Sequence, residues 1–336
     1  MLLQPRQVEG AQGAPVETVQ VADISPMRKH FTIATRGSQL ALWQANHVKS
    51  CLEALQPGLT VSLNVIKTQG DIIQDVSLAK IGGKGLFVKE IETALLEERA
   101  DLAVHSMKDV PMELPEELIL GCIPQRERDT DCFLSHQWET LESLPLRAHV
   151  GTSSLRRQAQ LLAIRPDLRI SPLRGNVDTR LKKLAAGEYD AIILASAGLK
   201  RLGLSAPYMQ HLGTDVLLPA VGQGALGIEC REDMYDLLVL LSSMEDRASR
   251  VCVTAERAFL ARLDGGCQVP IAGHAHLLDD EHLIMRGLVA DVDGSVILRA
   301  ESTGFAENAE SIGKAVAEDL LSRGAQQILD KLYNQQ

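Results

Sequence analysis

One cysteine stands where a thiol could hold another group covalently. Cys267 follows the pair Gly265 and Gly266, and the stretch before it, residues 249–262, has helical spacing and no helix breaker. Paired glycines end a helix and turn the chain sharply, because glycine adopts a positive φ angle without steric cost. We therefore expect this thiol on a loop, where it could carry a bound group. The alternative is a small buried hydrophobic side chain, the usual setting of a free cysteine.

Polar and basic clusters follow four of the predicted strands. In open α/β sheets, ligands bind outside the carboxyl ends of the strands, and the N-termini of the following helices point to the same place. Three of the four clusters supply arginine, whose planar guanidinium pairs with carboxylates and phosphates. They therefore predict a cleft that binds carboxylate or phosphate groups. The clusters are Thr35–Ser38, His105–Asp109, Gly151–Arg157 and Arg174–Asn176.

The third of these clusters has the most features of an anion site. Thr152, Ser153 and Ser154 offer hydroxyl groups and backbone N–H groups at the start of a predicted helix. Arg156 and Arg157 fall in the first turn of that helix, where their charge opposes the helix dipole, so we expect an anion to compensate them. The alternative is an ordinary N-terminal cap followed by solvated arginines.

Asp109 is the only carboxylate in these four clusters. Lys108 beside it favours the ionised form, and a lone carboxylate in a basic pocket can orient an N–H donor and stabilise developing positive charge. The alternative is a salt-bridged or helix-capping aspartate ahead of Pro111. We expect His105 to be packed or hydrogen-bonded rather than catalytic, because no partner has acid–base spacing.

The composition of the 336-residue chain narrows the classes of ligand. Aromatic residues make up only 3% and the formal net charge is −10, which argues against nucleic acid and anionic membranes as partners. Six dispersed cysteines fit a reducing cytoplasm better than disulfides or a zinc site. No run reaches the length of a membrane span, and the first residues are too weakly apolar for a secretory signal. We therefore predict a cytoplasmic protein that binds a small molecule and no metal.

Short apolar runs alternate with helical patterns, which predicts an α/β fold with largely parallel strands. Residues 1–28 show no period, and we expect them to be a flexible extension. The predicted strands are residues 31–35, 59–67, 100–104, 148–151, 168–173, 189–195, 284–289 and 295–299. The predicted helices are residues 38–55, 86–99, 155–164, 177–186, 249–262 and 309–333.

These elements group into three predicted domains. The Gly-rich stretch 219–229 is typical of a crossover that returns to the first unit, and alternating strands with a long final helix predict a small α+β domain at the C-terminus. The first two domains are predicted to be doubly wound, like two-lobed periplasmic binding proteins. The boundaries are 29–124 with 225–243, 125–224 and 244–336. Glycines in residues 72–85 make a lid or hinge plausible there, but the spacing is not that of a Walker loop.

Seven motifs resemble, in the same order, those of the porphobilinogen deaminase (hydroxymethylbilane synthase) family. The resemblance extends from about residue 29 to the C-terminus and leaves only residues 1–28 outside. The motifs are Ile33–Gln44, Lys80–Phe87, Val104–Pro111, Val150–Gln158, Leu173–Arg180, Leu218–Ala225 and Gly265–Pro270.

The resemblance implies an enzyme of heme and tetrapyrrole biosynthesis. Such an enzyme joins four porphobilinogen molecules head to tail with loss of ammonia, on a dipyrromethane primer held by a thioether, and releases hydroxymethylbilane by hydrolysis. Each porphobilinogen carries an acetate and a propionate, which suits a cleft lined with arginine. Asp109 would stabilise the cation left by ammonia and hold the attacking pyrrole N–H. We expect the enzyme to be a monomer.

The resemblance also implies a role for individual residues. Catalytic roles fall on Asp109, Lys108, Arg36 and Gln44, and substrate-binding roles on Arg36, Gln44, Arg174, Arg180 and Arg201. Lys80, Lys84 and Phe87 match a mobile loop. The implied cofactor-binding residues are Cys267 as the covalent anchor, with Asp109, Ser38, Lys108, Thr152, Ser153, Ser154, Arg156, Arg157, Arg174 and Arg180.

Two other classes of protein share some of these features. A two-lobed solute-binding receptor would explain the arginines without catalysis, but it explains neither Cys267 nor the third domain. A hydrolase with a cysteine nucleophile needs a base near the thiol, and the nearest histidine in sequence, His274, has no supporting pattern.

Overall fold

The computed structural model describes residues 28–72, 88–265 and 269–333. Predictions that concern Cys267, the loop residues Lys80, Lys84 and Phe87, and the extension up to residue 27 lie outside the described residues. No described helix is both long and apolar enough to span a membrane.

Strands and helices are interspersed up to about residue 242. In chain order they are β1 (His30–Arg36), α1 (Gln39–Leu55), β2 (Thr60–Ile66), α2 (Gln69–Ile72), α3 (Lys89–Leu96), β3 (Leu102–Ser106), β4 (Leu118–Cys122), β5 (Asp131–Ser135), β6 (His149–Gly151), α4 (Leu155–Ile164), β7 (Arg169–Ser171), α5 (Val177–Ala185), β8 (Ala191–Ala195), α6 (Ser196–Leu202), β9 (Tyr208–Leu212), β10 (Leu226–Arg231) and α7 (Tyr235–Ser242). The C-terminal unit follows with α8 (Arg247–Arg262), β11 (Ile271–Leu277), β12 (His282–Ala290), β13 (Ile297–Phe305), α9 (Ala309–Ser322) and α10 (Ala325–Tyr333).

Two five-stranded sheets share one topology. Their strand orders are β2-β1-β3-β10-β4 and β7-β6-β8-β5-β9, and in each the fourth strand runs antiparallel to both neighbours. A third sheet, β11-β12-β13, is antiparallel and packs against α8 and α9. The predicted class of two α/β units and a small α+β unit is confirmed. The residue boundaries of the domains stay a prediction.

We call the first sheet with its helices the first lobe and the second sheet with its helices the second lobe. Two connecting segments, residues 123–130 and 213–225, join the lobes. Each sheet has an apolar core of its own, with Phe31, Phe133 and Phe259 fully buried in the first lobe, the second lobe and the C-terminal unit. Spacing decides which helix face is buried: α1 presents Val48 and Leu52, four residues apart, to the first core.

The structure corrects several predicted elements. The strands are not as largely parallel as predicted, because β5 and β10 run against their neighbours. The predicted helix over residues 309–333 is two helices, because the chain turns at Gly324 with a φ of 97°. Strands β4, β5, β9, β10 and β11 and helices α2, α6 and α7 were not predicted.

One buried carboxylate joins all three parts of the fold. Glu256 in α8 is 0% exposed and accepts hydrogen bonds from both Nη atoms of Arg126, at 2.7 and 3.1 Å. It also accepts bonds from the backbone N–H groups of Gly222 at 2.6 Å and Ala275 at 2.9 Å. Arg126 and Gly222 belong to the two connecting segments and Ala275 to β11. Glu256 therefore ties both connections between the lobes to the C-terminal unit.

We predict that Glu256→Gln lowers the free energy of unfolding by about 3–5 kcal/mol, because it leaves the Arg126 guanidinium without a compensating charge in a buried site. Urea unfolding at pH 7 measures the change. Glu318→Gln is the control, since Glu318 pairs with Arg262 on the surface and its loss should cost about 0–1 kcal/mol. Equal losses in the two variants would contradict the central place given to Glu256.

Candidate active site

The predicted polar clusters lie at the carboxyl ends of parallel strands, as expected. Arg36 is the last residue of β1, the residues 107–109 follow β3, and Thr152 follows β6. Arg174 lies in the segment between β7 and α5. Charges from the two lobes act on one another: Asp109 of the first lobe raises, and Arg157 of the second lowers, the pKa of Arg180. Lys108 and Asp109 of the first lobe therefore lie close to Arg156, Arg157 and Arg180 of the second, across a cleft between the lobes.

Asp109 lies on a tight turn after β3. Residues Met107–Asp109 form one turn of 3-10 helix, and Val110 is extended, with a ψ of 127°, as the following proline requires. Asp109 is exposed at the end of this turn. Gly222 has a φ of +70°, and a Cβ at this position would lie 2.8 Å from the Met107 Cβ and 3.1 Å from the Lys108 nitrogen. Only glycine therefore lets residues 213–225 pass so close to the turn.

Arg156 and Arg157 are compensated by a carboxylate of the protein itself. Both are nearly buried, and both bind Asp131, which is 0% exposed. Arg156 Nη1 lies 2.7 Å from Oδ2, and Arg157 Nη2 and Nε lie 2.6 and 3.0 Å from Oδ1. These guanidinium groups hold the pKa of Asp131 well below its usual range, although burial alone would raise it. The anion that the sequence predicted beside these arginines is thus supplied, at least in part, from within the fold.

Asp131 was not predicted as a site residue, because it is the last residue of the polar stretch 125–131, whose composition is typical of a linker. Its position follows from strand direction. A strand that runs against the parallel strands of a sheet begins at the edge where those strands end. Asp131, the first residue of β5, accordingly pairs with Ala195 at the end of β8. The carboxylate next to the apolar run Cys132–Leu134 was the only local signal.

Burial destabilises the charged forms of two cations in the cleft. Burial, reinforced by Arg157, lowers the pKa of Arg180 to about 10, and Asp109 opposes this only in part. Burial also lowers the pKa of Lys108, with Asp109 acting in the opposite direction. A lowered pKa in a base means that its charged form is destabilised, so an added anion would be favourable beside these groups.

The hydroxyl groups of the predicted anion site take part in local hydrogen bonds. Ser154 caps α4 by accepting from Arg157 N, and Ser38 caps α1 by accepting from Ala41 N. Ser153 Oγ donates to the Leu173 carbonyl at 2.8 Å, and Thr152 Oγ1 accepts from Ser154 N at 3.2 Å. The capping alternative thus describes part of their role, and their binding to a ligand stays a prediction.

Gln44 lies inside the first lobe, and Arg201 lies at the junction of the lobes. Gln44 is 3% exposed, and its Nε2 donates to Ser106 Oγ at 2.9 Å, directly before the turn Met107–Asp109. Arg201 Nη2 donates to the Gly224 carbonyl at 2.8 Å, and its guanidinium lies over the Trp43 ring, 5.9 Å from the centroid. A cavity of about 240 Å³ opens here, lined by Trp43, His47, Pro124, Gln125, Arg126, Glu127, Arg201 and Leu226. Their roles toward substrate stay predictions.

Both histidines considered from the sequence have carboxylate partners. His105 is 6% exposed and its Nε2 lies 2.8 Å from Glu229 Oε2, which confirms that it is packed and hydrogen-bonded. His274 Nε2 lies 2.6 Å from Asp129 Oδ2. The bond joins β11 to the connecting segment 123–130, and His274 is 6% exposed.

We predict that Asp131→Asn lowers the free energy of unfolding by about 3–5 kcal/mol at pH 7, because two buried guanidinium groups lose their counter-charge. The pKa of Asp131 is lower in the folded than in the unfolded chain, so its stabilisation is full above pH 4 and is lost as the pH falls further. The gap between wild type and variant, followed by urea unfolding, should therefore narrow below pH 4. Asp167→Asn, which breaks a surface pair with Arg165, should cost much less; a gap that stays constant with pH would contradict this account.

Fold and site together define a class of protein: a two-lobed α/β protein with a cationic cleft, one exposed aspartate within it, and a C-terminal unit attached to both connecting segments. Two family descriptions match the chain. Residues 31–238 match "Porphobilinogen deaminase, dipyromethane cofactor binding domain", and residues 250–322 match "Porphobilinogen deaminase, C-terminal domain".

Curated relatives agree over most of the chain. A porphobilinogen deaminase of Nitratidesulfovibrio vulgaris strain DP4 is 61% identical over 306 residues, 91% of this chain and 97% of that protein. One from Lawsonia intracellularis is 59% identical over 305 residues, 91% of this chain and 99% of that protein. The chain belongs to the porphobilinogen deaminase family, as its seven motifs predicted. It is an enzyme of tetrapyrrole biosynthesis with a dipyrromethane cofactor.

Solved structures of binding proteins show a distant likeness. The probable amino-acid transporter binding protein YtmK of Bacillus subtilis gives a TM-score of 0.38 at 10% identity, covering 64% of this chain and 89% of that one. The aliphatic sulphonate binding protein SsuA of Escherichia coli gives 0.37 at 14% identity, covering 70% of each chain. At TM-scores below 0.5, these likenesses support no conclusion about function.

Proposed function

We propose that this enzyme builds hydroxymethylbilane from four porphobilinogen molecules on a primer that Cys267 holds through a thioether. The observation that carries the proposal is the charge of the cleft. Arg180 and Lys108 are cations whose charged forms are destabilised by burial, and they lie within electrostatic reach of the exposed Asp109. A ligand with carboxylates and an N–H group would pair its carboxylates with these cations and donate its N–H to Asp109.

The residues around the cleft fit a dipyrromethane group by the chemistry of their donors. Guanidinium groups pair with carboxylates, and the second lobe supplies Arg174 and Arg180 from one segment, residues 173–180. Ser38, Thr152 and Ser153 add hydroxyl groups at two helix starts. When bound, the cofactor supplies the terminus to which each new pyrrole is joined. The chain's own cations then hold the carboxylates of that terminus and of the incoming substrate.

Asp109 has the catalytic part in this proposal. When ammonia leaves porphobilinogen, the electrons of the C–N bond leave with nitrogen, and positive charge spreads over the pyrrole ring. A carboxylate fixed nearby stabilises that charge and accepts a hydrogen bond from the pyrrole N–H. Lys108, the adjacent residue, places a positive charge beside the carboxylate. The substrate would be oriented by Arg36 at the end of β1, by Gln44 in α1 and by Arg201 at the junction of the lobes.

We also propose that the enzyme works as a monomer in the cytoplasm. The cysteines support the cytoplasm. Within the described residues, four of them are free and buried, as expected of a chain that folds in a reducing compartment; they are Cys122, Cys132, Cys230 and Cys252. The domain boundaries 29–124 with 225–243, 125–224 and 244–336 belong to the same proposal.

The anchor is tested by intact mass spectrometry of the purified protein. Wild type should carry a covalent addition that Cys267→Ser lacks, because serine forms no thioether, and only wild type should make hydroxymethylbilane. Cys51→Ser, which alters a partly exposed thiol in α1, is the control and should keep both the addition and the activity. An unmodified wild type, or an addition that persists in Cys267→Ser, would refute the assignment.

Asp109→Asn tests the catalytic carboxylate. This variant should keep the fold and the covalent addition and lose turnover by roughly 100-fold or more, because the amide cannot stabilise positive charge as the carboxylate does. The measurements are consumption of porphobilinogen, intact mass and thermal unfolding. Asp178→Asn in α5, whose nearest cation is Lys182 at 4.0 Å on the surface, should behave as wild type. Wild-type turnover in Asp109→Asn would remove this residue from its proposed role.

A further inference from the structure

Arg257 binds the peptide groups directly after the catalytic turn. Its Nη2 donates to the carbonyl of Pro111 at 2.6 Å and to that of Met112 at 3.1 Å, and its Nη1 donates to the carbonyl of Val110 at 3.3 Å. One side chain thus holds three consecutive carbonyl groups, beginning one residue after Asp109. Burial lowers the pKa of Arg257, and Glu229 opposes this. A partly buried cation is therefore placed against neutral carbonyls of this segment.

Glu256, the residue before Arg257, holds the segment that packs against the other side of the turn Met107–Asp109. Glu256 binds Gly222 N, and the backbone of Gly222 passes against Met107 and Lys108. Met107 N also donates to the Ala225 carbonyl at 3.0 Å, which fixes the start of the turn to the same connecting segment. Consecutive residues of α8 therefore hold both sides of the turn that carries Asp109.

The shape of the guanidinium explains why arginine stands at this position. Its N–H groups form a rigid planar fork that can reach several acceptors at once, whereas a lysine ammonium is a compact charge on a flexible stem. Fixing these three carbonyls fixes the peptide planes that begin one residue after Asp109, and so restrains the backbone that carries its carboxylate. A displacement of about 1 Å in a catalytic group can cost about 100-fold in rate.

We propose that Arg257 is a positioning residue, which sets the place of the Asp109 carboxylate through the carbonyls of residues 110–112. The inference rests on the catalytic role proposed above for Asp109. Helix α8, which carries Arg257, ends at Arg262, five residues before Cys267 in the sequence. The same helix would thus carry the group that aligns the catalytic carboxylate and lead into the segment that carries the anchor.

The first test compares Arg257→Met with Arg257→Lys. Arg257→Met should keep the covalent addition and the KM for porphobilinogen and lose roughly 10- to 100-fold in kcat, and Arg257→Lys should fall between it and wild type. Arg262→Met, on the same helix but paired with Glu318 at the surface, should keep the wild-type kcat. If Arg257→Met fails to fold, Arg257→Lys carries the test. A variant that folds, carries the addition and has the wild-type kcat overturns the proposal.

The second test separates positioning from a general loss of stability. If Arg257 acts through Asp109, its substitution should matter less once the carboxylate is already displaced, as in Asp109→Glu. The factor by which Arg257→Met lowers kcat should be at least three-fold smaller in the Asp109→Glu background than in the wild-type background. An unchanged factor would overturn the inference and leave the role of Asp109 intact. Full activity of Asp109→Asn would instead remove Asp109 from its proposed catalytic role, on which this inference rests.

Discussion

The ion pair between Glu256 and Arg126 is the interaction on which the arrangement of the three parts depends. A fully buried carboxylate is unfavourable unless its oxygen atoms are all used, and Glu256 uses them on Arg126, Gly222 and Ala275. These partners belong to the two connecting segments and to the third sheet. The carboxylate of Glu256 can therefore accept all of these hydrogen bonds only when the three parts are assembled. The pair therefore gives specificity of assembly more than net stability.

The same assembly determines the geometry of the cleft. The connecting segment that Glu256 holds at Gly222 passes against the turn Met107–Asp109. From the same segment, Gln223 Nε2 donates to Asp131 Oδ1 at 3.1 Å, beside the two arginines of α4. A single stretch of chain thus touches the catalytic turn of the first lobe and the charge cluster of the second. A change in the helix α8 is for this reason expected to reach the chemistry, although α8 belongs to neither lobe.

Sequence reasoning succeeded where the determinants are local. Helix α4 begins and ends where predicted, because Ser154 caps it and Pro166 stops its continuation within a few residues. It failed where the determinants are distant. The insertion of β10 between β3 and β4 rests on pairs such as Ile228 with Val104, which no local spacing reveals. Asp131 was missed for the same reason, since its place in the cleft follows from the direction of β5.

Two carboxylates in one cationic cleft can have different functions because their surroundings differ. Asp131 is buried and bound by two guanidinium groups, so its charge is used within the protein. Asp109 is exposed on a turn and faces the cleft. Against these two stand four cations, which leaves these six side chains a net charge of +2; the cations are Lys108, Arg156, Arg157 and Arg180. A cleft with this excess can bind a polycarboxylate and still present the exposed side chain of Asp109 to a cation formed on it, because the charge of Asp131 is already used on Arg156 and Arg157.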